Sequence, residues 1–172
     1  MEVFSGVEII PPTTVCQSVL GDAYPKGGGS WNPVKMEYFS MPFPNYMCSS
    51  ETPIHIKAFI IVILCVRMWG HSWAGQRILI YCDNDSVCDT CSNQKPKDSR
   101  MQKLLREFLY WVCRFNFHPV LEKISSKDNH LADFISRNHG QNDIDDYFHD
   151  NGYPIQKRVF IPDNWFNFVS EW

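Results

Sequence analysis

The chain has 172 residues, 44% hydrophobic and 20% charged, a balance typical of one globular domain, with or without an appendage. Its formal net charge of −3 excludes nucleic-acid binding through overall basicity, so such binding would need a local basic surface or bound metal ions. The seven cysteines lack the regular spacing of a disulfide framework, and the N-terminus lacks the basic start and long apolar stretch of a secretory signal. We therefore expect a reducing intracellular compartment, cytoplasmic or nuclear, and no association with a membrane.

The first third of the chain predicts a lead-in followed by strands. Residues 1–14 end in Pro-Pro-Thr-Thr and are expected to be an extended lead-in segment. Residues 15–22 predict a strand, and residues 25–29 (PKGGG) predict a turn in which glycine supplies a positive φ. Alternating residues within 30–43 predict another strand, which gives a hairpin or a three-strand meander.

Helices and strands then alternate along the chain. The predicted elements are an apolar helix at 54–70, a buried strand at 77–82, an amphipathic helix at 97–115, a strand at 117–124 and a short helix at 128–137. The most apolar stretch of the first helix, residues 58–66, is too short to span a bilayer and predicts a buried helix. This order of elements favours an α/β fold with a mixed sheet.

The composition changes after residue 138. Residues 139–172 contain six acidic residues against one lysine and one arginine, and many aromatic residues. We therefore expect a domain at 15–138 and an acidic, aromatic-rich extension at 139–172 that wraps the domain or docks onto a neighbour.

Three aspartates occupy positions suited to metal binding. Asp22 ends the first predicted strand, Asp83 ends the central strand, and Asp133 lies in the last predicted helix. Ligands gather at the carboxyl ends of strands in open α/β sheets, where clustered carboxylates suit Mg²⁺ or Mn²⁺. Two such ions about 4 Å apart can activate water and stabilise the leaving oxygen of a phosphodiester. The ordinary alternative is that each aspartate only caps a helix or forms a turn.

The residues around these aspartates resemble three motifs of ribonuclease H domains in retroelement polyproteins. Residues 21–29 (GDAYPKGGG) are similar to the first motif, in which Asp-Ala-Ser precedes a glycine-rich turn. Residues 80–87 (IYCDNDSV) are similar to the second, and residues 128–137 (DNHLADFISR) to the third, an Asn-x-x-Ala-Asp-x-x-Ser-Arg pattern. Residues 4–6 (FSG) and 67–70 (RMWG) resemble the tyrosine-recombinase (DIRS-like) retrotransposon branch, in which this domain follows a reverse transcriptase.

The resemblance implies a ribonuclease H-like fold, with a mixed five-stranded sheet and helices on both faces. It implies a metal-dependent endonuclease that hydrolyses the RNA strand of RNA–DNA hybrids during reverse transcription. Asp22, Asp83 and Asp133 would hold two Mg²⁺ or Mn²⁺ ions, and Asn84 and Ser136 would contact substrate or support the ligands. The expected partners are the hybrid and the reverse transcriptase domain of the same polyprotein.

The sequence departs from the family pattern at one metal-binding position. The family supplies a glutamate early in the helix after the meander, and counting back from Trp69-Gly70 places Ala58 there. Alanine cannot ligate a metal, so we expect weaker metal binding and catalysis. The substitution is either engineered or a natural loss in a copy kept for binding. Lys123 stands near a position where related enzymes often carry a histidine.

Other residues allow two interpretations each. The cations Arg100, Lys103 and Arg106 either hold the backbone of a hybrid or form the solvated face of a helix. The cysteines at 82, 88 and 91 lack the second Cys-x-x-Cys of a zinc site, which favours free thiols. Three hypotheses remain for the chain: a ribonuclease H-type enzyme, a non-catalytic module that binds nucleic acid or protein, and a structural domain that tethers a polymerase.

Overall fold

The computed structural model of the chain describes residues 14–169. The expected lead-in at 1–14 therefore lies, apart from Thr14, outside the described residues.

A six-stranded mixed sheet forms the centre of the molecule. Its strands are β1 (Val15–Tyr24), β2 (Gly27–Asn32), β3 (Glu37–Pro42), β4 (Arg77–Cys82), β5 (His118–Lys123) and β6 (Lys157–Arg158). They lie in the order β5-β4-β1-β2-β3-β6. β1, β2 and β3 form an antiparallel meander, β4 and β5 run parallel to β1, and β6 runs parallel to β3. The predicted mixed sheet is confirmed, and β6 brings the strands to six instead of the expected five.

Helices cover both faces of this sheet. They are α1 (Asn45–Cys48), α2 (Ile54–Trp69), α3 (Asp85–Asn93), α4 (Ser99–Phe115), α5 (His130–Arg137) and α6 (Gln141–Asp150), with 3₁₀ turns at Gly70–Ser72 and Trp165–Phe168. α2 packs on β1 and carries α4 on its outer side, whereas α5 packs on β1 and β2. α3 has no apolar periodicity to predict it. It forms because the side chain of Asn84 caps its N-terminus by accepting a hydrogen bond from the Val87 amide.

α2 is apolar on all sides because it is a buried layer between the sheet and α4. Phe59 of α2 meets Phe108 of α4 with ring centroids 6.0 Å apart, while Ile61 faces the sheet. By length and composition the whole helical segment Ile54–Ser72, of which the apolar stretch at 58–66 is only a part, is apolar enough to cross a membrane. Inside the protein, 72% of its most apolar window is buried, and the expected buried helix is confirmed.

The three consecutive glycines have a different role from the predicted one. Gly27, Gly28 and Gly29 lie in β2, and none has a positive φ, because the chain turns at residues 25–26 instead. An added Cβ on Gly28 would overlap Ile61 of α2, and one on Gly29 would lie 2.5 Å from Ile135 Cγ2 of α5. The glycines therefore allow helices to approach β2 closely from both faces.

The strand predicted within residues 30–43 is also interrupted. Residues 33–36 form a turn between β2 and β3, in which Met36 has a φ of 52° and both Val34 and Met36 are exposed. Alternation of side chains cannot distinguish this hairpin turn from a continuous strand, because the apolar residues in it face solvent.

Residues 139–169 pack against the β2–β3 side of the sheet. Phe148 of α6 lies 5.5 Å from Trp31 and 5.8 Å from Tyr38, measured between ring centroids. The indole of Trp31 donates a hydrogen bond to the Gln156 side chain at 2.9 Å, and Lys157 begins the edge strand β6. Acidic residues in α6 remain at the surface while its apolar residues Ile144 and Phe148 are buried.

Replacing Gly29 by alanine is expected to lower the free energy of unfolding by about 2 kcal/mol or more, because overpacking is costly. The new Cβ would meet Ile135 and also the backbone carbonyl oxygen of Phe39, 2.8 Å away, which cannot move independently. Gly152→Ala is the matched control, since Gly152 has a φ of 77° but open space around it, and only about 1 kcal/mol of backbone strain is expected. Urea unfolding followed by tryptophan fluorescence measures both losses. Equal losses would contradict the close helix–strand packing.

Candidate active site

The parallel pairing of β1 with β4 brings two of the three aspartates side by side. Gly21 and Cys82 are the last pair between β1 and β4, so the next residues, Asp22 and Asp83, lie side by side at the carboxyl end of β4. Asp83 follows β4, but Asp22 does not end its strand as predicted, because β1 continues to Tyr24 and Asp22 pairs with Gly29 of β2. Asp133 comes from the first turn of α5, which packs over β1 and β2. The three carboxyl groups predicted from the sequence therefore gather at one edge of the sheet.

Asp22 is the most buried of the three carboxyl groups, with 4% of its surface exposed. Its pKa is raised to about 6, chiefly by burial and in part by the nearby charges of Asp83 and Asp133. The hydroxyl of Ser136 opposes this shift by donating a hydrogen bond to Asp22 Oδ2 at 2.7 Å, and the charge of Arg137 opposes it as well.

Asp83 experiences the same kind of environment. Burial and then the charge of Asp133 raise its pKa, while a side-chain hydrogen bond with Asp22 and the charge of Lys123 lower it. Asp22 and Asp83 therefore form a pair of interacting acidic side chains. Such a pair supplies the oxygen ligands that a divalent cation prefers.

Asp133 is held differently from the other two. Its Oδ1 atom accepts hydrogen bonds from Arg137 Nε at 2.8 Å and Nη2 at 2.7 Å. The guanidinium of Arg137 also lies 5.6 Å from the centroid of the Tyr24 ring, at the end of β1. Asp133 acts on Asp22 and Asp83 through its charge, while one of its oxygens is occupied by Arg137.

The donor set fits a divalent cation only in part. Asp22 and Asp83 are both oxygen donors, and the charge of Asp83 raises the pKa of Asp22, an electrostatic repulsion that a cation would relieve. Across residues 14–169, however, no three Asp, Glu, His or Cys side chains are arranged to hold one metal ion.

Ala58 lies at the same end of the sheet as the carboxyl groups. The preceding residue of α2, Lys57, donates a hydrogen bond to the backbone oxygen of Pro25, immediately after β1, at 2.9 Å. Ala58 is 4% exposed and stands one helical turn before Ile61, which faces Gly21 and Gly28 of the sheet. The position predicted to carry the family glutamate is therefore inside the helix–sheet contact, beside the carboxyl end of β1.

The predicted substrate residues near the aspartates have structural partners. Ser136 is fully buried and bonded to Asp22, so it supports a candidate ligand and is not available to substrate. Asn84 caps α3. Lys123 forms an ion pair with Asp85 at 2.7 Å.

The three cations predicted to bind nucleic acid all lie on α4, a different element from those that carry the three aspartates. Lys103 and Arg106 are exposed, whereas Arg100 Nη1 donates to the backbone oxygen of Glu51 at 3.2 Å. The expected free thiols are observed, since all seven cysteines are unpaired.

Sequence reasoning missed two contributors to the site. Arg137 follows Asp133 by four residues in a helix, a spacing at which opposite charges meet, and this signal could have identified it. Asn129 is 1% exposed, and its side-chain amide donates to the backbone oxygen of Gly21 at 3.3 Å, which ties the start of α5 to β1 beside Asp22. Asn129 is the first residue of the Asn-x-x-Ala-Asp-x-x-Ser-Arg pattern of the third motif, but the motif does not predict which atom its side chain bonds.

Comparison with known proteins shows a similarity in structure but not in sequence. No protein-family profile and no curated protein sequence matches the chain. Among solved structures, the N-terminal RNase H domain of a Mycobacterium tuberculosis protein, determined as a fusion with maltose-binding protein, superposes with a TM-score of 0.54. The match covers 78% of this chain and 98% of the other, at 13% sequence identity.

The chain has a ribonuclease H-like fold. At 13% identity the similarity establishes the architecture of this ribonuclease H-like domain and not its chemistry. Asp22 near the carboxyl end of β1, Asp83 just after β4 and Asp133 in the first turn of α5 nevertheless lie at the edge of the sheet where ligands of open α/β folds gather.

The raised pKa of Asp22 predicts how stability depends on pH in the absence of divalent cations. The folded state keeps the Asp22 proton up to about pH 6, while the unfolded state releases it near 3.8, so stability is lost as the pH rises between these values. The loss reaches at most about 3 kcal/mol, and Asp83 adds to it in the same direction.

Asp22→Asn is expected to flatten this dependence and to be the more stable protein at pH 7. Urea unfolding in EDTA at pH 4.5 and pH 7 measures the slope for both proteins. An unchanged slope in the variant would contradict the buried carboxyl pair.

Proposed function

We propose that this domain binds an RNA–DNA hybrid at the carboxyl edge of its sheet and hydrolyses the RNA strand with a divalent metal ion, slowly because Ala58 replaces a ligand. The proposal is supported above all by the meeting of Asp22, Asp83 and Asp133, in which burial and neighbouring carboxylate charges raise the pKa values of Asp22 and Asp83. Clusters of carboxylates with raised pKa values are typical of functional sites, because such clusters lower the stability of the folded protein.

The side chains of the site have separate tasks in this proposal. Asp22 and Asp83 would hold Mg²⁺ or Mn²⁺, which when bound supplies an activated water and stabilises the leaving oxygen of a phosphodiester. Ser136 fixes the orientation of Asp22, and Arg137 fixes that of Asp133. Ala58 leaves the α2 side of the site without a carboxylate.

The proposed substrate contacts lie on α4 and on the segment before it. Lys95, Lys97, Lys103 and Arg106 are exposed, and a hybrid is recognised through its phosphates and shape, which requires cations and not base contacts. A chain with net charge −3 must concentrate such cations on one surface.

We also place the domain in a retroelement polyprotein, next to a reverse transcriptase, in the tyrosine-recombinase branch. The support is the three sequence motifs around Asp22, Asp83 and Asp133, together with the ribonuclease H-like fold. In that setting the hybrid is the product of reverse transcription.

A second candidate is a non-catalytic ribonuclease H-like module that binds nucleic acid or protein. Two observations favour it: position 58 is alanine, and the described part of the chain has no group of three side chains arranged around one metal ion. The two candidates differ in whether a restored carboxylate restores cleavage.

Ala58→Glu is expected to increase the rate of Mg²⁺- or Mn²⁺-dependent cleavage of the RNA strand of a hybrid by about 100-fold or more. Loss of a metal ligand lowers activity at least as much as loss of a residue that supports a ligand. Cleavage of a labelled RNA strand, resolved on a gel, measures the rates.

Ala58→Gln is the matched control, since it has the same size and no charge, and its rate should equal that of the unmodified protein. Adding Asp83→Asn to Ala58→Glu should abolish cleavage. If the unmodified protein and Ala58→Glu both bind the hybrid and neither cleaves it, the result would support the non-catalytic module instead.

Lys103→Gln with Arg106→Gln is expected to weaken hybrid binding about tenfold and to reduce the slope of log affinity against log salt by about one per cation. Arg114→Gln, on the last turn of the same helix, removes one positive charge at the opposite end of α4 and should leave binding unchanged, whereas either Lys103→Gln or Arg106→Gln alone should weaken it. Fluorescence anisotropy of a labelled hybrid at several salt concentrations measures both quantities. Equal effects at both ends of the helix would contradict the proposed contact surface.

A further inference from the structure

The C-terminal segment, residues 139–169, is joined to β3 at its first residue. His139 Nδ1 lies 2.6 Å from the hydroxyl oxygen of Ser40. Arg158, in β6 of the same segment, donates hydrogen bonds to the backbone oxygens of both residues, at 2.9 Å to His139 and at 3.2 Å to Ser40. These three side chains therefore form one junction between the segment and the sheet.

The hydroxyl group of Ser40 indicates which ring nitrogen of His139 carries the proton. Ser40 Oγ also lies 2.8 Å from the backbone oxygen of Ile135 and 2.7 Å from that of Asn138. A hydroxyl group has a single proton to donate, and a backbone oxygen can only accept, so one of these oxygens receives that proton. The arrangement favours the tautomer in which Nδ1–H of His139 donates to Ser40 Oγ and Nε2 carries no proton.

A second proton on the ring would have no acceptor. His139 Nε2 is buried and has no hydrogen-bond partner among residues 14–169. The Cε1–Nε2 edge of the ring packs against Gly27 of β2 so closely that a Cβ built on Gly27 would lie 2.8 Å from both atoms. Protonation would place a positive charge and an unpaired N–H group at this contact, and a buried donor without an acceptor is costly.

The charges around the ring oppose its protonation as well. Burial, and then the charge of Arg158 in β6, lower the pKa of His139. At the ring β2 and β3 contribute a glycine and a serine, and α5 contributes backbone oxygens, so none of these elements supplies a carboxylate there. In α6, Asp143 Oδ2 faces Gly140.

We propose that His139 controls the attachment of the C-terminal segment: the neutral ring holds the segment on β3, and protonation of the ring releases it. A released ring is solvated and binds a proton at the ordinary pKa of histidine, about 6.5. The attachment is therefore fully stable above this pH, and its stability is lost as the pH falls below it toward the lowered pKa of the attached ring. Release would uncover Trp31 and Tyr38, against which Phe148 of the segment packs.

Hydrogen exchange of the whole chain, measured by mass spectrometry at pH 7.5, 6.5 and 5.5 and corrected for the intrinsic exchange rates, tests this release. In the unmodified protein the opening equilibrium constant of α6 and β6 should rise about fivefold between pH 6.5 and pH 5.5, because the released state takes up one proton. His139→Gln should show no such rise, since its amide can donate to Ser40 and does not titrate. This variant keeps every other histidine of the chain, so the comparison isolates position 139.

His149→Gln is the matched control. His149 lies on α6 with 89% of its side chain exposed, so its replacement should leave the rise unchanged. In the unmodified protein, NMR titration of the imidazole groups measures the pKa and the tautomer of His139 directly. A pKa below 6.5 and a proton on Nδ1 are expected.

Two results would overturn the inference. One is an equal rise in the unmodified protein and in His139→Gln, or no rise in either. The other is an NMR titration in which His139 has a pKa of 6.5 or above, and this result decides the matter even where His139→Gln fails to fold. Neither measurement involves a metal ion or nucleic acid, so the proposed hydrolysis stands or falls separately.

Discussion

The site depends first on the parallel register between β1 and β4. With Gly21 opposite Cys82, both strands reach the same edge together, and the next residue of each is an aspartate. A shift of one residue would turn Asp22 to the other face of the sheet, away from Ser136 and α5. The hydrophobic cores on both faces fix this register, because β1 alternates between the faces that contact α2 and α5.

The approach of α5 to the sheet is the second constraint. Gly29 leaves space for Ile135, and Ser40 Oγ lies 2.8 Å from the Ile135 backbone oxygen. Asn129 ties the beginning of the helix to β1 at Gly21. These contacts place Asp133 and Ser136 over Asp22. The raised pKa of Asp22 therefore depends on uncharged residues that position α5 against the sheet.

The sequence predicted the elements with strong periodicity and missed those that depend on tertiary contacts. The helix at 54–70 and the strand at 77–82 were predicted almost to the residue, because each is apolar and bounded by clear breaks. α3 and β6 were missed, since the former needs the Asn84 cap and the latter needs β3 as a partner. The same distinction applies to the site: three motifs indicated its carboxylates, whereas only the fold shows that Arg137 reaches Tyr24.

The charges of the molecule are separated by the fold. Residues 139–150 carry exposed acidic side chains on α6, which is fixed to α5 by the stack of Tyr147 on Phe134 at 3.8 Å. The exposed cations Lys103 and Arg106 lie on α4, which packs on the opposite face of the sheet through α2. A polyanion approaching the carboxyl edge is therefore repelled on the α6 side and attracted on the α4 side.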